Sequence, residues 1–231
     1  MYTIVASESS SAILTTLSNA STRVSSEVET FLLLSSLSFI PLLLIATTTF
    51  TRNIIVLSFM RSALGLQQSP PNIVLVTLGL FIAIFTMEPI FKQSYNEGIA
   101  PYLQEAIPLA QATENSWKPL KAFLLSQTRE SDIALMYKIS QTDAPASIGD
   151  VSATTLIPAF MLSELRLAFK IGFIIYLPFL LLDFVVAAIL MSLGMIMVPP
   201  ITISLPLKIM LFVVVDGWAL IIETLARTAI T

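Results

Sequence analysis

Cysteine and histidine are both absent from this chain of 231 residues. Their absence excludes disulfides, thiolate or imidazole metal sites, Cys–His nucleophile chemistry and Ser-His-Asp triads. The sequence also contains no glycine-rich loop of the kind that binds phosphate. We therefore expect that the protein is not an enzyme and that it holds neither a metal nor a cofactor.

Charged residues are also scarce. They make up 12% of the chain, against 55% hydrophobic residues and a mean hydropathy of +0.86. A soluble domain has about twice that charged fraction. The net charge is −3 and there is no basic run, so the electrostatic basis for nucleic-acid binding is missing. The composition indicates a membrane protein or a membrane-associated assembly.

The distribution of polar residues divides the chain into four parts. We predict a polar N-terminal tail, an N-terminal hydrophobic helical hairpin, an amphipathic helical middle region and a C-terminal hydrophobic helical hairpin, at residues 1–30, 31–91, 92–156 and 157–231. The tail is rich in Ser and Thr and has no Lys or Arg before Arg23, unlike a standard secretory signal. The predicted fold is all-α, a subunit of a ring or helical membrane-associated assembly.

The first hairpin begins with the uncharged stretch Phe31 to Phe50, which has about the length that crosses a hydrocarbon core. Pro41 should kink a helix there. A second helix is predicted from Arg52 to Asn72, with Arg52 as a charge of the connection between the apolar runs. Pro70 and Pro71 should stop that helix, and Asn72 can cap the next one.

The middle region carries both signs of charge. Tyr95 to Ile107 and Leu120 to Ser140 are predicted as amphipathic helices, and Pro119 suits an early helical position. A third amphipathic helix is predicted from Ile157 to Lys170, and it leads into the apolar run Ile171 to Val198.

The C-terminal hairpin consists of two apolar runs separated by Pro199 and Pro200. Met191, Met195 and Met197 crowd this break, and the four-residue spacing of the first two places them on one helical face. Methionine packs against irregular and changing surfaces. A methionine cluster by itself is explained more simply as core filler than as a functional site.

Several charges lie within or beside the apolar runs, where lipid would reject them. We predict that Glu164 is neutralised by Arg129 and Lys208, within or between subunits, because an unpaired buried charge is costly. Asp183 and Asp216 could form a proton relay, but no partner base accompanies them. We interpret both as buried structural acids.

Five segments together resemble the FliP/SctR family of bacterial export-gate proteins: RNIIVLSFMRSALGLQQSPPN, PLKAFLLSQTRESDIALM, IPAFMLSELRLAFKIGF, LPFLLLDFVVAAILMSLGMIMVPP and LPLKIMLFVVVDGW. The resemblance runs from about Arg52 to the C-terminus. The QTRESD segment looks more like the flagellar branch than the virulence branch.

The resemblance implies an all-helical, pore-forming subunit of the flagellar type III export gate. It implies a homo-oligomer of five copies that assembles with FliQ and FliR, with FlhB as a further partner, and passes unfolded flagellar proteins. The expected location is the inner membrane within the flagellar basal body, largely on the periplasmic side, with the hairpins in contact with lipid or with protein. The family's methionine gasket would then correspond to Met191, Met195 and Met197.

A proton- or ion-coupled membrane transporter subunit is the alternative, and only the acids within the apolar runs support it. Transporters of that kind often contain inverted repeats around a midplane site. Proline-broken helices are present here, but no inverted repeat is evident. An intramembrane hydrolase would need a nucleophile and base that the sequence does not offer.

Overall fold

The chain is helical throughout the part that the structure describes. A computed structural model describes residues 31, 35, 38–143, 145 and 147–230, and every regular element within them is a helix. The expectation of an all-α fold is therefore confirmed. The predicted polar tail, residues 1–30, lies outside the described residues.

The principal helices are α1 (Ile40–Thr47), α2 (Phe50–Ala63), α3 (Asn72–Ser94), α4 (Leu109–Gln127), α5 (Glu130–Ser140), α6 (Ala153–Ser192), α7 (Pro200–Val214) and α8 (Gly217–Ile230). A π-helical turn, Tyr95–Ile99, continues α3 into Ala100–Leu103, and a short 3-10 turn, Ile148–Asp150, precedes α6. The chain divides into two compact units, Met1–Leu44 and Ile45–Thr231. Except for the start of α1, the features below belong to the second unit.

Pro70 and Pro71 were predicted to stop α2, but the connection between α2 and α3 begins several residues before them. Helix α2 ends at Ala63, where Gly65 adopts a positive φ of 76°. The amide of Leu66 donates to the carbonyl of Arg61, which is the hydrogen bond of a Schellman helix end. Pro71 directly precedes α3.

Asn72 is the first residue of α3, but it does not cap the helix. Its Oδ1 accepts a hydrogen bond from Nη1 of Arg61 at 2.6 Å, and the same nitrogen donates to the carbonyl of Pro70 at 3.1 Å. The predicted cap is therefore wrong, because a nearby guanidinium binds this side chain instead.

Two apolar cores hold the helices together. Helix α2 packs along α6, and buried residues of α2, α3, α6, α7 and α8 form the larger core: Val56, Leu57, Met60, Leu75, Ala168, Ile171, Phe212 and Leu225. The smaller core joins α3 and α4 to the start of α6 through Met87, Phe123, Leu124, Leu156 and Phe160. Helix α6 contributes buried apolar side chains to both cores, to the smaller one at its start and to the larger one farther along, and is therefore the centre of the fold.

The middle region differs from the predicted helices. Leu120 to Ser140 is not one helix, because Thr128 and Arg129 are extended and separate α4 from α5. Pro119 lies inside α4 rather than near its start, since the helix begins at Leu109. The predicted helix Tyr95 to Ile107 is mainly the continuation of α3, and helical structure ends at Leu103.

The predicted amphipathic helix Ile157 to Lys170 and most of the apolar run that follows it belong to a single helix. Helix α6 has 40 residues and includes Pro158 and Pro178. At 1.5 Å per residue it is about 60 Å long, roughly twice the thickness of a hydrocarbon core. Part of α6 therefore extends beyond any bilayer that it crosses along the membrane normal.

Helices with the length and composition of membrane spans occur twice among the described residues, at Asn72–Leu103 and Ala153–Ser192. Two bent helix pairs, Pro41–Thr47 with Phe50–Ala63 and Pro200–Val214 with Gly217–Ala229, would raise the number to 4 if each pair were one span. Glu164 and Lys208, two of the three residues predicted to form ion pairs, lie in these segments.

Candidate functional site

The hairpin of α6 and α7 buries polar residues on its inner face and exposes many apolar residues on its outer face. Ser204, Lys208 and Phe212 recur every four residues along α7 and are buried. Large aliphatic side chains on the other faces, such as Val213 and Val214, are exposed. A helix of a soluble protein shows the reverse arrangement. This outer surface suits lipid or the apolar surface of another protein.

An ion pair between α6 and α7 lies on the inner face of this hairpin. The Lys208 Nζ lies 2.6 Å from Oδ2 of Asp183, and the side chains are 4% and 39% exposed respectively. Asp183 was predicted to be a buried structural acid, and the structure places it half-buried between α6 and α7. The ammonium of Lys208 is the group that is removed from solvent, and Asp183 supplies its counter-charge.

A second ion pair is fully buried between α2 and α6. The Arg52 Nε lies 3.4 Å from Oε2 of Glu164, and the side chains are 0% and 1% exposed. Nη1 of Arg52 also donates to the carbonyl of Thr228 at 3.1 Å. Arg52 thereby joins α2 to both α6 and the last turn of α8.

The predicted pairing of Glu164 with Arg129 and Lys208 does not form within the chain. Arg129 is exposed and makes no ion pair among the residues that the structure describes, while Lys208 binds Asp183. Arg52 pairs with Glu164 instead, because α2 packs along α6 and carries Arg52 in its first turn. Contacts that the predicted residues make between subunits stay a prediction.

Arg129 acts through its backbone in a buried network that the sequence did not reveal. Its amide donates to Oγ of Ser163 at 3.1 Å, and Ser163 donates to Oδ2 of Asp132 at 2.7 Å. Arg166 Nε lies 3.3 Å from the other oxygen of Asp132. Asp132 belongs to a locally polar segment, so its burial against α6 had no signal in the sequence. The network fixes the start of α5 on α6.

Ser163→Ala is expected to lower the free energy of unfolding by about 1–3 kcal/mol, because a buried carboxylate oxygen and the Arg129 amide both lose their partner. Thermal unfolding of the purified protein measures the change. Ser126→Ala is the matched control, since the Ser126 hydroxyl bonds only to the carbonyl of Phe123 in its own helix. Equal unfolding temperatures for the two variants would contradict a structural role for the network.

The methionine cluster lies at the turn of the hairpin. Helix α6 ends at Ser192, so Met191 is in its last turn, while Met195 and Met197 are in the connection. The prediction that Met191 and Met195 share a helical face is therefore wrong. All three side chains are exposed, by 66%, 42% and 94% in sequence order.

Gly194 produces this turn. Its φ of 75° lies in the left-handed region, and the amide of Met195 donates to the carbonyl of Leu190 at 2.9 Å. These features define a Schellman helix end, which strongly favours glycine at this position. Pro199 then precedes α7, and Pro200 is the first residue of that helix. The exposed residues Met191–Met197, here called the methionine loop, also present Leu193 and Ile196.

Asp216 does not have the predicted buried position. It is exposed in the bend between α7 and α8 and has a positive φ of 49°. Beside it, the rings of Phe212 and Trp218 meet edge to face at 5.5 Å. The bend contains no room for a side chain at Gly217, because a Cβ there would overlap the ring of Phe212.

Comparisons with known proteins place this helical chain among flagellar proteins. The model of the FliP family matches residues 33–225. The flagellar biosynthetic protein FliP of Bacillus subtilis is 47% identical over 89% of this chain and 93% of its own length. The FliP of Pectobacterium carotovorum is 48% identical over 87% of this chain and 78% of its own length. That of Caulobacter vibrioides is 45% identical over 85% of this chain and 74% of its own length.

Proposed function

Since the chain belongs to the FliP family of flagellar biosynthesis proteins, we propose that it is a structural, pore-forming subunit of the flagellar type III export gate. In this role it passes unfolded flagellar proteins across the bacterial inner membrane. It performs no catalysis. The observation that carries the proposal is the exposed methionine loop at the end of the α6–α7 hairpin.

The composition of the loop supports a seal. Apart from Ser192, its exposed side chains are apolar, and the three methionines are unbranched and flexible. Copies of such a loop around an axis would exclude ions from a closed pore, because dry apolar constrictions block hydrated ions. The same side chains would repack around the irregular surface of an unfolded chain during export.

The outer surface of the hairpin supports assembly. Exposed aliphatic side chains on α6 and α7 need lipid or protein against them. The expected partners are further copies of this chain, five in all, together with FliQ, FliR and FlhB. The assembly would belong to the flagellar basal body, with much of it on the periplasmic side of the membrane.

Asp183 and Asp216 give the transporter alternative little support. Asp183 binds Lys208, and Asp216 is exposed in a helix bend. The two acids therefore do not provide neighbouring buried carboxylates for a proton relay.

Replacing Met191, Met195 and Met197 together with Ala is expected to raise small-ion leakage through the gate, because the shorter side chains leave the constriction open. The measurement is ion flux into vesicles that contain the complex co-purified with FliQ and FliR. Leakage equal to that of the wild-type gate would refute the seal.

Two control variants test whether the effect belongs to the loop. Replacement of the same three residues with Leu keeps the apolar volume and should keep the seal. Met210 is an exposed methionine of α7 outside the loop, and Met210→Ala should also leave leakage unchanged. A leak in the Met210 variant would instead indicate general damage to the assembly.

A further inference from the structure

Within the part of the chain that the structure describes, the backbone hydrogen bonds of the methionine loop stay inside its own hairpin. Its backbone hydrogen bonds run to neighbouring positions, such as Gly194 to Met191 at 3.1 Å and Val198 to Met195 at 3.4 Å. A Cβ added at Gly194 would meet nothing within 4 Å. The position of the loop is therefore determined by how α6 and α7 are held against each other.

One ion pair holds those two helices at a fixed register. Among the described residues, Asp183 and Lys208 form the only ion pair that joins α6 to α7. Met191 lies eight positions after Asp183, and Lys208 lies eight positions after Pro200. At 1.5 Å per residue, the pair lies about 12 Å from the loop along both helices.

The apolar contacts of the hairpin do not define this register as sharply. Hydrophobic burial is non-directional, whereas an ammonium and a carboxylate at 2.6 Å require one alignment. Polar groups in apolar helix interfaces are known to fix register in this way. One turn closer to the loop, the buried hydroxyl of Ser204 makes no hydrogen bond. It therefore does not duplicate the function of Lys208.

We propose that Asp183 and Lys208 are positioning residues that hold the methionine loop in its sealing position. The inference rests on the proposed function, since it assigns to the pair an effect on the seal. Loss of Asp183 would leave the Lys208 ammonium buried without a counter-charge. The two helices would then shift to hydrate it, and the loop at their end would move.

The test uses the complete complex with FliQ and FliR in vesicles and measures both the yield of assembled complex and ion leakage. Asp183→Asn is expected to leak several-fold more than wild type at a normal yield. The exchange Asp183→Lys with Lys208→Asp is expected to restore the seal. Glu114→Gln is the matched control, because it breaks an exposed pair with Lys118 and should not leak.

The outcomes separate the two proposals. If the triple methionine-to-alanine variant leaks but Asp183→Asn seals like wild type, the positioning role is overturned and the proposed function stands. If the triple variant does not leak, the proposed function itself fails. Should Asp183→Asn not assemble, the exchange decides: recovery of both yield and seal supports the pair, and any other result overturns it.

Discussion

Glu164→Gln is expected to lower the free energy of unfolding by about 3–5 kcal/mol, the usual effect of removing one partner of a buried ion pair. The reason is the position of Arg52, which is fully buried and has no other carboxylate within ion-pair distance among the described residues. For a chain of this length, such a loss lowers the unfolding temperature by at least about 6 °C. Thermal unfolding in detergent and the amount of protein in the membrane both measure it.

Glu88→Gln provides the matched control. Glu88 forms an exposed pair with Lys92 at 2.6 Å, with side chains 52% and 71% exposed. Exposed pairs of this spacing contribute about 0.3–0.5 kcal/mol, so the control should unfold close to the wild-type temperature. An unfolding temperature of Glu164→Gln within 2 °C or so of this control would contradict the assigned role of the buried pair.

Replacing both partners tests the physical reason. The variant Arg52→Met with Glu164→Leu removes both charges and keeps the site filled with apolar atoms. Such replacements of buried ion pairs are often neutral or stabilising. We expect the double variant to be more stable than either single variant. If the free energy of unfolding decreased in the double variant by the sum of the decreases in the two single variants, the destabilisation would come from packing rather than from the unpaired charge.

Gly98→Ala is expected to destabilise the protein by roughly 3 kcal/mol, at the upper end for overpacking of a core. A Cβ at this position would lie 2.5 Å from the carbonyl oxygen of Ala112 and 2.7 Å from the amide nitrogen of Ser116. Both atoms belong to the backbone of α4, so the π-helical turn and α4 would have to move apart. A fall in unfolding temperature of about 6–12 °C would measure the effect.

Two comparisons test this explanation. Gly149→Ala is the control, because a Cβ there would have its nearest contact at 3.6 Å from the Ser147 hydroxyl. Adding Ser116→Ala to Gly98→Ala removes the hydroxyl but not the backbone atoms, so little stability should return. Full recovery in that double variant would show that the side chain, not the helix backbone, limits the space at Gly98.

Hydrophobic runs and prolines predicted the helical class and the separation of α6 from α7. A chain that meets lipid must satisfy its backbone groups internally, as a helix does within one segment, and Pro200 suits the first position of a helix. The family resemblance was also present in the residues, and the match to residues 33–225 confirms it. These features depend on local sequence and were therefore readable without the structure.

The helix boundaries of the middle region depended on packing and were predicted less well. Pro119 suggested a helix start, yet α4 continues through it because Phe123 and Leu124 bury their side chains in the second core. The break before α5 at Arg129 is stabilised by Ser163 of α6. That residue is far away in sequence, so the break had no local signal.

The sequence by itself determined that this protein is helical, apolar and rich in methionine at the hairpin break, because those properties follow from composition and spacing. It also showed that Glu164, Asp183 and Lys208 require partners, since isolated charges are unfavourable among apolar residues. Only the tertiary structure decided the pairs, Arg52 with Glu164 and Asp183 with Lys208. Any cation can satisfy a carboxylate in principle, and the packing of α2 and α7 on α6 selects the one that lies within reach.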